Sequence, residues 1–236
     1  MKKVMPIFKR ELEAYFYSPM AYIVITVFLL ITGWIFTSEM FLANDSSLRS
    51  VFSFIPFIFL FFVPAITMRL LSEERKSGTI ELLFTMPISD IEIVLGKYLA
   101  GLGLLLVSLF FTLPYAFTIM FLGEPDIGML LTGYIGLSLM GASYIAVGTF
   151  ASTISGNQVI SFIIAFLIIF VLWLIDKFII LIPPAFVGFF QYLSIDYHFN
   201  NISRGVLDTR DIVYYLSLIV FMLSLAKLSL ESRKWN

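Results

Sequence analysis

Of 236 residues, 60% are hydrophobic and only 13% charged, where a soluble domain carries about a quarter charged residues; one water-soluble core cannot absorb that much apolar surface, so the chain reads as an all-α polytopic membrane protein. A net charge of -1 excludes the basic field that nucleic acid requires. The lack of cysteine excludes disulfides, thiolate metal sites and cysteine nucleophiles.

Residues 1–18 do not span. Val4, Phe8, Leu12 and Tyr15 recur at helical spacing, with Lys9, Arg10, Glu11 and Glu13 on the other faces. This predicts an amphipathic helix lying at the membrane interface, ended by Pro19. A spanning helix needs about 20 apolar residues, because the hydrocarbon core is about 30 Å thick. Six segments qualify, at 20–42, 51–71, 93–122, 127–152, 158–175 and 212–230. The first is too long for a cleaved leader, and no small-residue cleavage site follows it. The second carries Pro56 and Pro64, which tend to kink it. The third carries Gly101, Gly103 and Pro114. The fourth is rich in small residues, and Ser138, Ala142 and Ala146 form a flat stripe for close packing. That packing is read as internal to one subunit in preference to a dimer face. The fifth is bulky from Ile160 to Phe170 and is expected to meet lipid or an apolar partner. Residues 176–211, with Pro183, Pro184, Phe186, Val187, Phe189 and Phe190, predict a short helix or re-entrant hairpin at the outer interface. A polar strip from Ser194 to Arg210 follows. No domain boundary or repeat interrupts 1–236.

Six spans leave both termini on one side. If that side is cytoplasmic, only Arg49, Lys177, Arg204 and Arg210 of the 15 Lys and Arg face outward, as the positive-inside rule favours. Residues 72–90 then form a cytoplasmic loop. Ser72 to Lys76 extend the second span, and Gly78 stops it through a positive φ. A short helix follows over 79–84, with Ile80, Leu83 and Phe84 on one face, and Pro87 breaks it. Ser89 and Glu92 form a capping box that opens the third span. Such stiff turn chemistry around an apolar short helix reads as a docking surface, where a plain solvated hairpin would explain only the charges.

The run from Met68 to Lys97 resembles the permease subunits of ABC-2 type transporters. The matching positions are Met68 and Arg69; Glu73, Glu74 and Arg75; Gly78 and Thr79; Glu81, Leu82 and Leu83; Pro87, Ile88 and Ser89; and Gly96 and Lys97. The resemblance extends to Phe8–Pro19 and to Leu193–Tyr215, which look most like permeases associated with gliding motility and nitrous-oxide-reductase maturation. It implies two ATPase subunits and a second permease chain, identical or homologous, in a plasma (inner) membrane with both termini cytoplasmic. The helix at 79–84 would be the coupling helix seated in an ATPase groove. Glu73, Glu74, Arg75, Gly78, Thr79, Glu81, Leu82, Leu83 and Pro87 would form the ATPase-docking surface. The amphipathic helix would be a second contact, and the first, second and fifth spans would line the substrate route.

The chain has no G-x-x-x-x-G-K-[ST] phosphate loop, so it is read as a transport subunit without its own catalysis. ATP and Mg would be bound by the partner ATPase, and the chain would act as an exporter permease. Alternatives are a secondary transporter or channel independent of ATP, which favours polar groups near the midplane, and an integral membrane enzyme. His198, the single histidine, lacks a second strong ligand and is read as structural at the outer surface, with gating or substrate contact the lesser reading. Glu39, Asp176 and Lys227 lie near span ends, where they can pair or snorkel.

Overall fold

The computed structural model describes residues 3–42, 47–81, 87–123 and 126–232. Every regular element among them is helical. Among the described residues six helices are long and apolar enough to cross a membrane: Pro19–Phe41, Arg49–Lys76, Asp90–Leu122, Ile127–Ile154, Gln158–Leu181 and Thr209–Glu231. The all-α, six-span expectation therefore holds.

The fourth span is the axis of the bundle. It touches the second, third, fifth and sixth spans and is buried along most of its length. Small residues make this possible. A Cβ at Gly148 would stand 2.0 Å from Thr67 Oγ1, and one at Gly133 would stand 2.3 Å from the Phe52 ring. Ala142 and Ala146 are buried in the same packing, so the stripe serves contacts within the chain. The fifth span lies outside this core. Val159, Ile163, Leu167 and Val171 are exposed, while Phe162, Phe166, Phe170 and Trp173 stack one on the next. Phe61 and Phe57 of the second span join that ladder.

Prolines act as the local sterics require. Pro56 and Pro64 lie inside a continuous helix, Arg49–Thr67. The third span breaks at Phe111 and Thr112, two residues before Pro114. Pro19 bounds the amphipathic helix as expected, since the residue before a proline favours extended backbone. Val4–Tyr17 stops at Ser18, whose backbone is extended and whose hydroxyl donates to the Tyr15 carbonyl at 3.0 Å. Pro19 opens the next helix, where its missing N–H is one of the orphan donors anyway.

The amphipathic helix packs along the start of the third span. Ile7 and Tyr15 are buried, with Phe8 and Leu12 partly so. Its apolar side thus meets protein where the sequence suggested headgroups. The reason is Gly96: a Cβ there would fall 2.6 Å from the Ile7 side chain, so glycine alone lets the two helices close.

The segment after the fifth span holds two helices. Pro184–Leu193 is the expected short helix, without a buried residue. The polar strip beyond it opens with a second, partly buried helix. Ile195–Ile202 is a helix with Ile195, Phe199 and Ile202 fully buried, seated on the fourth span at Gly136.

Candidate functional site

The loop between the second and third spans is built by local turn chemistry. The second helix loosens after Thr67, where the Leu70 N–H turns to the Thr67 carbonyl at 3.1 Å. The Ile66 carbonyl takes the Tyr15 hydroxyl instead, at 2.7 Å. Helix resumes over Ser72–Lys76. The Ser77 hydroxyl donates to the Glu73 carbonyl at 3.0 Å, and the Gly78 N–H donates to the Arg75 carbonyl at 3.2 Å. Gly78 has φ +73 with nothing within 4 Å of a Cβ, so backbone strain, not crowding, selects glycine there. Ile80 and Glu81 are helical. Leu82, Leu83 and Phe84, the remainder of the expected coupling helix, lie outside the described residues. Beyond them the Ser89 N–H donates to the Glu92 carboxylate at 3.2 Å, the reciprocal bond of the expected capping box. The Lys3 ammonium donates to the Pro87 carbonyl, tying the amphipathic helix to the far side of the loop.

Beneath the loop lies a charge network. Lys97, in the third span, is 1% exposed. Its Nζ stands 2.9 Å from Glu74 Oε1 and 3.3 Å from Glu11 Oε2. Arg10 pairs with the same Glu11 at 2.7 Å and reaches Glu74 at 3.5 Å. Its hydrogen bond to Glu11 raises the guanidinium pKa further above its usual range. Two cations and two carboxylates from three separate helices thus neutralise one another. Next to them Arg69 lies over the Tyr15 ring, 5.3 Å from its centre, and pairs with Glu73 at 3.2 Å. Burial raises the Tyr15 hydroxyl pKa. A cavity of about 500 Å³ opens over the network, lined by Arg10, Arg69, Glu73, Thr79 and Lys97 among others.

The residues expected to dock divide into two groups. Glu73, Gly78, Thr79, Glu81 and Pro87 are exposed. Glu74 is turned inward to Lys97, which binds its charge within the chain. Arg75 is half-buried against the turn after the fourth span, its Cβ 3.6 Å from the Cβ position of Gly156. Sequence reasoning missed Glu11, Arg10 and Lys97 as one unit. The available signal was a lone lysine in an apolar helix, which is a functional candidate by default.

At the other end of the bundle His198 is 2% exposed, enclosed by protein. Its Nδ1 lies 2.6 Å from Asp211 Oδ1 and its Nε2 3.0 Å from the Tyr192 carbonyl. The ring stacks on Tyr214 with centres 3.9 Å apart. Lys177 donates to Asp196 at 2.7 Å and lies 3.6 Å from Asp176. Burial raises the Asp196 pKa, and Lys177 opposes the rise. These bonds pin the Ile195–Ile202 helix to the fifth and sixth spans. Among the described residues no group of three His, Cys, Asp or Glu has metal-holding geometry. Between the first, second and fifth spans runs a wholly apolar cleft of about 420 Å³, lined by Ile23, Val27, Phe54, Phe57, Phe61 and Phe162 among others.

A family model described as ABC-2 family transporter protein matches residues 31–230. No curated protein matches the chain.

Proposed function

The chain belongs to the ABC-2 transporter family, and from that premise we propose that it is the permease subunit of an exporter driven by ATP hydrolysis in a separate chain. Two ATPase subunits and a second permease chain, identical or homologous, would complete the assembly in the plasma (inner) membrane, with both termini cytoplasmic. ATP and Mg belong to the ATPase site in this reading, because this sequence carries no phosphate loop.

The observation that carries the proposal is the Lys97 network. The exposed tip from Ser77 to Glu81 sits on a helix whose Glu74 is ion-paired to the third span and, through Lys97 and Glu11, joined to the amphipathic helix. Force applied at that tip is transmitted to three helices at once. Two arrangements of this lever, biased by closure of the ATPases, would rock the spans and change access. Glu73, Gly78, Thr79, Glu81 and Pro87, with Leu82 and Leu83, would face the ATPase. Glu74 and Arg75 would hold the tip in place. The apolar cleft between the first, second and fifth spans supports a lipid-like or amphiphilic cargo, or mechanical work, against the partner permease.

Co-expression with the ATPase tests this. Glu81→Arg should reduce co-purified ATPase at least tenfold and leave membrane insertion intact. Unchanged association together with unchanged transport would refute the docking role.

A further inference from the structure

Two cations far apart in sequence, Arg49 and Arg204, line one open cavity of about 380 Å³. It lies at the end of the bundle remote from Lys97, since the 19-residue helix that starts at Arg49 spans roughly 28 Å. Phe52 and Met129 give the cavity an apolar side, while Ser50 and Asn200 add a hydroxyl and an amide. Among the described residues no carboxylate lines it, and no ion pair engages either arginine. Asp208 and Asp211 border Arg204 in an adjoining depression, but among the described residues neither forms an ion pair with it. Asp208 accepts the Arg210 N–H at 2.9 Å, and Asp211 faces His198 at 2.6 Å.

Both arginines are placed by backbone structure. Arg49 opens a helix whose cap, Leu48, has no side-chain oxygen to offer. The first main-chain bond of that helix runs from the Phe52 N–H to the Leu48 carbonyl at 2.8 Å. A helix N-terminus of this kind favours a nearby anion. Arg204 lies in a turn closed by the Gly205 N–H to the Ile202 carbonyl at 3.1 Å. Gly205 has φ +97 and sits over the fourth span, where a Cβ would be 3.7 Å from the Met129 nitrogen. Two exposed arginines that line one cavity give it a positive field that favours an anion. Arginine forks match the oxygens of phosphate.

The geometry points to a binding site for a phosphate group carrying an organic tail, with Arg49 and Arg204 on the oxygens and the tail against Phe52 and Met129. A phospholipid headgroup and a soluble phosphate ester share this chemistry. The site is independent of the ATP-driven reading, so failure of one leaves the other standing.

Native mass spectrometry of the purified full chain in micelles tests it, with phosphatidylglycerol, phosphate-free diacylglycerol and soluble glycerol phosphate as probes. Phosphatidylglycerol should bind saturably and at least tenfold more tightly than diacylglycerol. The Arg49→Gln, Arg204→Gln double variant should lose at least tenfold of that affinity. Arg210→Gln, outside the cavity, should retain it. Binding of the lipid alone identifies a headgroup site, and equal competition by glycerol phosphate identifies a soluble phosphate ester. An unaffected double variant, an equal loss in Arg210→Gln, or no preference over diacylglycerol would overturn the assignment.

Discussion

Replacing Lys97 with methionine keeps the length of the side chain and removes its charge. Glu11 and Glu74 then face each other across the vacated position. Their oxygens lie 3.3 and 2.9 Å from Nζ, so they can be no more than about 6 Å apart by the triangle these distances form. At an effective dielectric of about 20, two unit charges at that separation repel by about 3 kcal/mol. Breaking a buried ion pair by removing one partner costs about 3–5 kcal/mol, the same range. Arg10, 57% exposed, recovers only a small part of this. For a chain of this size about 2–4 °C of melting temperature accompanies each kcal/mol, so Lys97→Met should melt roughly 10 °C lower in detergent. The triple variant Glu11→Gln, Glu74→Gln, Lys97→Met should regain most of that loss, because no uncompensated charge remains. A fall of less than 2 °C, or an equal fall when Lys97→Met is made on the Glu11→Gln, Glu74→Gln background, would refute the network as the source of stability.

Gly148→Ala places a methyl against Thr67 in the tightest approach of the bundle. It should destabilise by about 1–3 kcal/mol, and Thr67→Ala on top of it should restore part of the melting temperature. His198→Ala leaves the Asp211 carboxylate buried without its imidazole partner and should cost about 1–3 kcal/mol. Limited proteolysis near Gly205 should accelerate as the Ile195–Ile202 helix loosens. Gly78→Ala imposes left-handed backbone strain of about 1–2 kcal/mol without a steric clash. It should weaken ATPase co-purification more than it lowers the melting temperature, and Gly78→Asn should do less harm than Gly78→Ala.

What the sequence alone determined is what depends on neighbours along the chain. Runs of apolar residues long enough to cross a bilayer specified six spans. Ser89 and Glu92, three residues apart, specified the cap of the third, and Gly78 specified the turn at the loop tip. The stripe at Ser138, Ala142 and Ala146 announced close packing because a helical period brings those positions to one face. Tertiary structure decided everything that needed two distant segments to meet. Glu74 has the exposed-helix pattern of a docking residue, and only the arrival of Lys97 and Glu11 from other helices turns it inward. His198 sits in a polar strip, and only the sixth span supplies the Asp211 and Tyr214 that bury it. Arg49 and Arg204 are ordinary cations in sequence and come to line one cavity only in the fold. Hydrophobic period and turn propensity act over a few residues, whereas charge pairing and burial are settled by distance in space, which the order of residues does not record.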